Sequence, residues 1–425
     1  MSSTRAAILV TGTEVLSGAI ADRNGPWLSE RLREHGVELA HIMVVADRPD
    51  DLRAALEFLG RERIELVITS GGLGPTADDL TAEVVGRFAG RALLLDPALE
   101  QRILAILKRN RGGWRSYSEE ALRAGNRKQA LVPEGATILE PVGTAPGLIV
   151  QSAGPLVVVL PGPPSELQPM WATAAETEPL RGLLARADAL EQRMLRLYGV
   201  PESEIALSLA AIERDGVALD QLEITTCLRR GEIEIATVFA PAAAAAYEAL
   251  VEGIRARHAD QLFSVDGATV DEQVARLLGG RTIATAESCT GGLMAARLTD
   301  RAGSSAYVLG GVVVYSNAAK TGFADVPAGL LERHGAVSPE VAAALADGAI
   351  ARFSAELGIG ITGVAGPGGG TQSKPVGMVC VSVAQDGGER IDRTVRLPGD
   401  RATVRERTTT VAMHLLRRLL LARAS

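Results

Sequence analysis

The chain has 425 residues, 44 basic and 51 acidic side chains, a formal charge of -7 and 47% hydrophobic residues. At roughly 150 residues per domain that length provides for two or three domains with cores of their own and excludes one small crosslinked module. The acidic balance, with only three Trp, five Tyr and six Phe, argues against direct nucleic-acid contact, which needs clustered positive charge and stacking platforms.

Taken in chain order, MSSTRAAILVTGTE carries too short an apolar run for a secretory signal. No later stretch approaches the ~18 apolar residues of a membrane span, so no membrane association is expected. From Arg5 the chain predicts a strand (AAILVTG), a helix (WLSERLREHGV), a strand (ELAHIMVVAD), a helix opened by Pro49 (PDDLRAALEFLGRE), a strand running into a glycine turn (ELVITSGGLG) and a further helix (TADDLTAEVVGRFAG). Two more strands, TAPGLIV and GPLVVVLPG, come next. Such alternation predicts a parallel sheet with right-handed crossovers, and a first domain over 1–175. The texture changes across 176–258, where LEITTCLRRGEIEIATVFA alternates like a hairpin turned at Arg230-Gly231. A small α+β module is expected, without a GxxG loop or a catalytic cluster, and it reads as a spacer or dimerisation element. From 265 to 425 a second α/β domain is predicted, with strands at TIATAES, YVLGGVVVYS, GIGITG and GMVCVSV. Its helix SPEVAAALADGAIARFSAEL should be capped by Ser338 with Pro339 at the first helical position, and RATVRERTTTVAMHLLRRLL forms the last helix. The expected fold class is α/β: two separate three-layer α/β domains joined by a small α+β module. Cys227, Cys289 and Cys380 are far apart with no CxxC pair, so neither a disulfide framework nor a zinc knuckle is suggested, and a cytoplasmic location is expected.

The sharpest chemical constellation lies in the last domain. TIATAESCTGG puts Ser288 at a strand end followed by residues able to open a helix, where free amides at Thr290, Gly291 and Gly292 would stabilise an oxyanion or a phosphate. Downstream, YSNAAK supplies Tyr315 and Lys320, the lysine 32 residues after the serine. No histidine falls in a motif, so a Ser-Lys arrangement is the mechanism to test; the lysine must be neutral to act, which requires desolvation. The plainer alternative has Ser288 capping a helix and Lys320 on the surface. Only four lysines occur, Lys108, Lys128, Lys320 and Lys374, against 40 arginines, so a generic surface cation would have been written Arg. Cys289 is a rival nucleophile but lacks a partnered histidine, and reads also as a small buried residue. GITGVAGPGGGTQSKPVG is either a long turn or a loop whose amides and Lys374 cradle a phosphate or carboxamide. Arg401 and Arg405, four apart on one helix face, are candidate phosphate clamps.

AESCTGG, YSNAAK, GAVSPEVAAALADG, TGVAGPGGG with SKPVG, and PGDR resemble the C-terminal domain of the CinA (competence/damage-inducible protein) family, which is similar to nicotinamide-nucleotide amidases. The resemblance implies hydrolysis of nicotinamide mononucleotide to nicotinate mononucleotide and ammonia, with Ser288 as nucleophile, Lys320 as base and Tyr315 assisting, and with no cofactor. It further implies that the glycine loop, with Thr362, Gly363, Gly366, Gly368, Gly369 and Lys374, and Arg401 hold the mononucleotide, beside the candidate contacts at Thr290, Gly291, Gly292 and Arg405.

VTGTEVLSGAIADRN and TSGGLGPTADDLTAEVV both fall at C-terminal strand ends, where open α/β sheets bind ligands. Gly71, Gly72, Gly74 and Thr76 would meet phosphates there, and Glu14, Asp78 and Asp79 could hold a divalent metal ion. Equally, the two aspartates would favour a helix N-terminus. This region is similar to the molybdopterin-binding (MoaB/MogA-like) domain of the same family, and implies metal-dependent hydrolysis of ADP-ribose-type pyrophosphates with Asp79 central. Leu73 stands where such domains usually have threonine, a departure that argues against a pterin ligand. The expected ligands are thus small nucleotides bound by a homodimer. A nonenzymatic nucleotide-binding protein linked to competence or the DNA damage response is the competing reading.

Overall fold

The computed structural model describes residues 4–109, 119–187 and 190–422. By contacts the chain forms two compact units, residues 1–192 with 239–242, and 193–238 with 243–425. Among the described residues no helix is long and apolar enough to cross a membrane.

The first unit is built on a six-stranded sheet. In spatial order its strands are Glu38–Val45, Arg5–Thr11, Leu66–Ser70, Leu156–Leu160, Gly147–Gln151 and Thr137–Leu139. The first four run parallel, so their C-terminal ends share one edge of the sheet. The last two run antiparallel, unlike the all-parallel expectation. The cause is legible in the connection, since the short turn from Gln151 to Leu156 can join only antiparallel neighbours. Residues on the two faces of each central strand point into different cores. Ile8 and Ile68 pack with Leu28, Leu32 and Met170, whereas Ala7, Leu9 and Val67 pack with Leu56, Leu59 and Val85. Helices thus cover both faces, as a near-continuous apolar strand requires.

The second unit begins with an antiparallel sheet ordered Glu223–Arg229, Glu232–Phe239, Glu191–Tyr198, Leu262–Ser264. Arg229 pairs with Glu232, and the two residues between them have φ of 54° and 89°. A positive φ at both positions is the two-residue turn that suits the strand twist. Expected as a spacer or dimerisation element, this stretch contributes Tyr198 to the core of the C-terminal α/β domain, where it packs with Phe263, Val274, Leu416 and Leu420.

The same unit continues into a five-stranded sheet, ordered Val308–Val313, Ile283–Glu287, Leu357–Gly363, Met378–Gln385, Arg390–Arg396, its first three strands parallel and its last two antiparallel. Helices Val270–Leu278, Leu293–Thr299 and Arg401–Leu421 cover one face; Asn317–Ala324, Ala328–His334 and Pro339–Phe353 cover the other. Both α/β domains are therefore three-layered. Helix Pro339–Phe353 lies close on the sheet because Gly360 has no side chain: a Cβ there would strike the Ala342 carbonyl. Ser338 caps that helix, accepting from the Val341 amide at 3.2 Å. Helix Val270–Leu278 opens with a reciprocal box in which Thr269 Oγ1 accepts from the Glu272 amide and Glu272 accepts from the Thr269 amide. Thr269→Ala removes the side-chain half while the residue-269 amide can still donate to Glu272, and a loss of about 1 kcal/mol in urea-denaturation stability is expected.

Candidate active site and nucleotide cleft

Ser288 comes directly after the last residue of strand Ile283–Glu287, the middle one of the three parallel strands, and its amide donates to the Ile361 carbonyl at 2.9 Å. It therefore stands at the C-terminal edge of three parallel strands, where loops are free to hold a ligand. Lys320 approaches from helix Asn317–Ala324, which Ser316 caps. Its Nζ lies 3.1 Å from Ser288 Oγ, 3.0 Å from the Val314 carbonyl oxygen and 3.2 Å from the Tyr315 carbonyl oxygen. The side chain is 1% exposed, and among the described residues no carboxylate forms an ion pair with it. Burial holds its pKa below the usual lysine value; a Cys289 thiolate would act weakly in the opposite sense. A neutral amine has two N–H donors and one lone pair. The two carbonyls can take the donors, which turns the lone pair toward the Ser288 hydroxyl.

Cys289 is disfavoured as a nucleophile. Its thiol is 5% exposed, and burial pushes its pKa up to about 12, whereas a reactive cysteine needs a stabilised thiolate.

Two of the three expected oxyanion donors, the Gly291 and Gly292 amides, already have partners. Glu287, 1% exposed, turns its carboxylate onto the start of helix Leu293–Thr299 and accepts from the amides of Gly292 at 3.1 Å, Met294 at 3.0 Å and Ala295 at 2.8 Å. Thr285 Oγ1 also donates to it at 3.3 Å, and the Gly291 amide is bonded to the Ser288 carbonyl at 3.1 Å. A carboxylate at this position satisfies the unpaired amides of a helix start. It thereby fixes the turn that presents Ser288, and removes the Gly292 amide from the role read in the sequence.

Tyr315 and Arg401 form a second group at the rim. The tyrosine is 62% exposed; Arg401 Nη2 donates to its hydroxyl at 3.0 Å and Nη1 donates to the Gly366 carbonyl at 2.9 Å. Arg401 thus joins the glycine loop to Tyr315, whose carbonyl contacts Lys320. Gly368 has open space around its Cα, and Gly366 and Gly369 adopt positive φ.

Several expected binding residues are structural instead. Arg405 donates from Nε to the Cys289 carbonyl at 3.2 Å and from Nη2 to the Thr290 carbonyl at 2.8 Å, so it braces the serine turn rather than clamping a phosphate. Thr290 is fully buried. Thr362, also buried, donates to the Ala336 carbonyl at 2.7 Å. Lys374 is tied to the His334 carbonyl, and a Cβ on Gly363 would press on strand Met378–Gln385.

In the first unit, a cleft of about 320 Å³ opens over the C-terminal strand ends and is lined by Glu14, Gly71, Gly72, Gly74, Asp78 and Asp79. Sequence reasoning reached these six but missed Asp47, Gln129, Thr144 and Glu166, which line the same space. Gly72 has φ 66°, and a Cβ there would strike Thr81 Oγ1, so the turn needs glycine. Asp78 and Asp79 precede helix Thr81–Phe88 and face Thr76: its amide donates to Asp79 at 2.9 Å and its hydroxyl is within reach of both carboxylates. The Thr76 hydroxyl holds Asp78 below the usual carboxylate range, with its own amide assisting. Lys128 donates to the Thr76 carbonyl. Burial raises the pKa of Glu166. Among the described residues no three His, Cys, Asp or Glu side chains converge as a metal-holding group; the single Thr76 hydroxyl proton serves one aspartate at a time and leaves the other carboxylate oxygens free.

A family model described as the CinA C-terminal domain matches residues 268–420, and one described as a probable molybdopterin binding domain matches 7–180. A CinA-like protein of Mycobacterium sp. (strain MCS) is 60% identical over 418 residues, covering 98% of this chain and 99% of its own length. The chain belongs to the CinA family. A CinA-like protein of Mycobacterium tuberculosis (strain ATCC 25177 / H37Ra) is 55% identical over 421 residues and 98% of both chains. Among solved CinA structures, a competence/damage inducible protein of Agrobacterium tumefaciens is 37% identical, covering 37% of this chain and 99% of that one, with a TM-score of 0.34. In this CinA chain Ser288 and Lys320 lie inside the matched C-terminal segment, and the glycine-turn cleft lies inside the matched N-terminal one.

Proposed function

We propose that the C-terminal domain is an amidohydrolase acting on nicotinamide mononucleotide. The observation that carries this reading is the buried Lys320 amine 3.1 Å from Ser288 Oγ, a nucleophile and base within hydrogen-bond reach. Ser288 Oγ attacks the carboxamide carbon while its proton passes to Lys320 Nζ. Collapse of the tetrahedral adduct breaks the C–N bond, and Lys320 returns that proton so that ammonia leaves. Water, deprotonated by the same amine, then cleaves the ester and releases nicotinate mononucleotide and the Ser288 hydroxyl. Arg401 at the rim meets the phosphate, and Tyr315, bonded to it, orients the guanidinium.

For the N-terminal domain we infer a site for a phosphate-bearing nucleotide of the ADP-ribose type, supported by the glycine turn, Gly71, Gly72 and Gly74, that lines the cleft. No metal-assisted step is part of this reading, since among the described residues no three carboxylate, His or Cys side chains form a metal-holding group. The test is an assay of the purified full chain. Ammonia released from nicotinamide mononucleotide supports the amidase reading, whereas tight binding of both nucleotides without turnover would favour a nonenzymatic binding protein.

A further inference from the structure

Helix Arg401–Leu421 enters the candidate active site at its first turn, where Arg401 and Arg405 hold the glycine loop and the serine turn. The antiparallel sheet grips the same helix further along. At the hairpin tip Arg230 pairs with Glu406 at 3.2 Å, and Arg407 lies beside Gly231. Two turns on from Arg407, on the same helix face, Glu232 Oε1 lies 2.7 Å from His414 Nε2. Both side chains of this pair are more than nine-tenths buried. The His414 ring stacks on Tyr198 at 3.7 Å between centroids, and Phe263 meets it edge-on at 4.7 Å. Arg417 donates to the Phe263 carbonyl at 3.2 Å and to Gln273. A buried polar pair is weak as a source of stability but strongly orienting, because only one arrangement satisfies both partners.

We propose that the antiparallel module is a positioning clamp on the substrate-binding helix, the buried Glu232–His414 pair fixing that helix so that Arg401 meets the nucleotide phosphate. The helix cannot rotate or slide at its start without parting Glu232 from His414, between three and four turns away. Glu232 and His414 are positioning residues acting through Arg401, and this role rests on the amidase reading for its kinetic consequence.

The test uses the full-length chain. Glu232→Ala should raise KM for nicotinamide mononucleotide about tenfold while kcat stays within about twofold, and Glu232→Gln, which keeps an acceptor for His414, should restore KM. Hydrogen exchange should quicken in Glu232→Ala at the amides of residues 404–410, a readout independent of turnover. Quickened exchange only near residue 414 with an unchanged KM, or loss of kcat and KM alike without rescue by Glu232→Gln, would overturn the clamp. A wild-type chain that releases no ammonia would overturn the amidase reading, and the exchange pattern at 404–410 would still decide the clamp.

Discussion

Lys320→Met is expected to lower kcat for ammonia release from nicotinamide mononucleotide by about 10³-fold, the size of effect expected when a positioned base is lost. Methionine nearly fills the space of a side chain that is 1% exposed, so the chain should remain folded, but it cannot accept the Ser288 proton. Lys320→Arg should be equally inactive, because a guanidinium stays protonated at any pH the chain survives. The wild-type kcat/KM should rise with pH through a single titration lying below the ordinary lysine range, as burial lowers the Lys320 pKa. The same shift has a stability consequence of definite sign. Between the folded pKa and the ordinary lysine value, the unfolded chain binds the proton and the folded chain does not, so stability rises with pH across that window. Below the folded pKa both states carry the proton and the full cost of a buried ammonium remains. Urea denaturation of wild type beside Lys320→Met should therefore show the wild type gaining relative stability as pH rises through that window. A difference that is flat with pH would place the amine in water.

Glu287→Ala is expected to destabilise the chain by about 3 kcal/mol. Its carboxylate is the acceptor for three amides and the Thr285 hydroxyl in a wholly buried place, and donors left unpaired there each cost about 1–3 kcal/mol before relaxation. Removing a buried charge recovers part of that sum. Glu287→Gln keeps one acceptor oxygen and should lose about half as much. In both variants kcat should fall, since the turn that presents Ser288 loses its anchor. A loss below about 1 kcal/mol in urea denaturation of Glu287→Ala would mean that water or neighbouring groups satisfy those amides.

The legible parts of the site were those written locally. Ser288 at the end of a buried strand, with two glycines close behind it, marks the turn, and the scarcity of lysine singles out Lys320 from composition alone. Ser338 and Pro339 announced their helix in the same way. Glu287 was missed although a signal existed: it is the one charge in a strand otherwise made of apolar residues and threonine, all of them buried. Arg405 was placed on the right helix face, but its partners, the Cys289 and Thr290 carbonyls, lie 116 and 115 residues away, and no local pattern encodes them. The same holds for the N-terminal cleft. Asp47 and Glu166 reach it from a strand end and a helix start well separated from the glycine turn, so only the assembled sheet brings them to Gly71 and Asp79. The antiparallel module read as a spacer or dimerisation element because its buried polar contact with the last helix, Glu232 with His414, spans 182 residues.

The central claim, that Ser288 and not its neighbour is the nucleophile, is tested most directly by ammonia release from nicotinamide mononucleotide in Ser288→Ala and Cys289→Ala measured beside the wild type. The geometry predicts that Ser288→Ala loses at least about 10³-fold in kcat, while Cys289→Ala, whose thiol is buried and held protonated, stays within about tenfold. Retained activity in Ser288→Ala, with loss in Cys289→Ala, would contradict it.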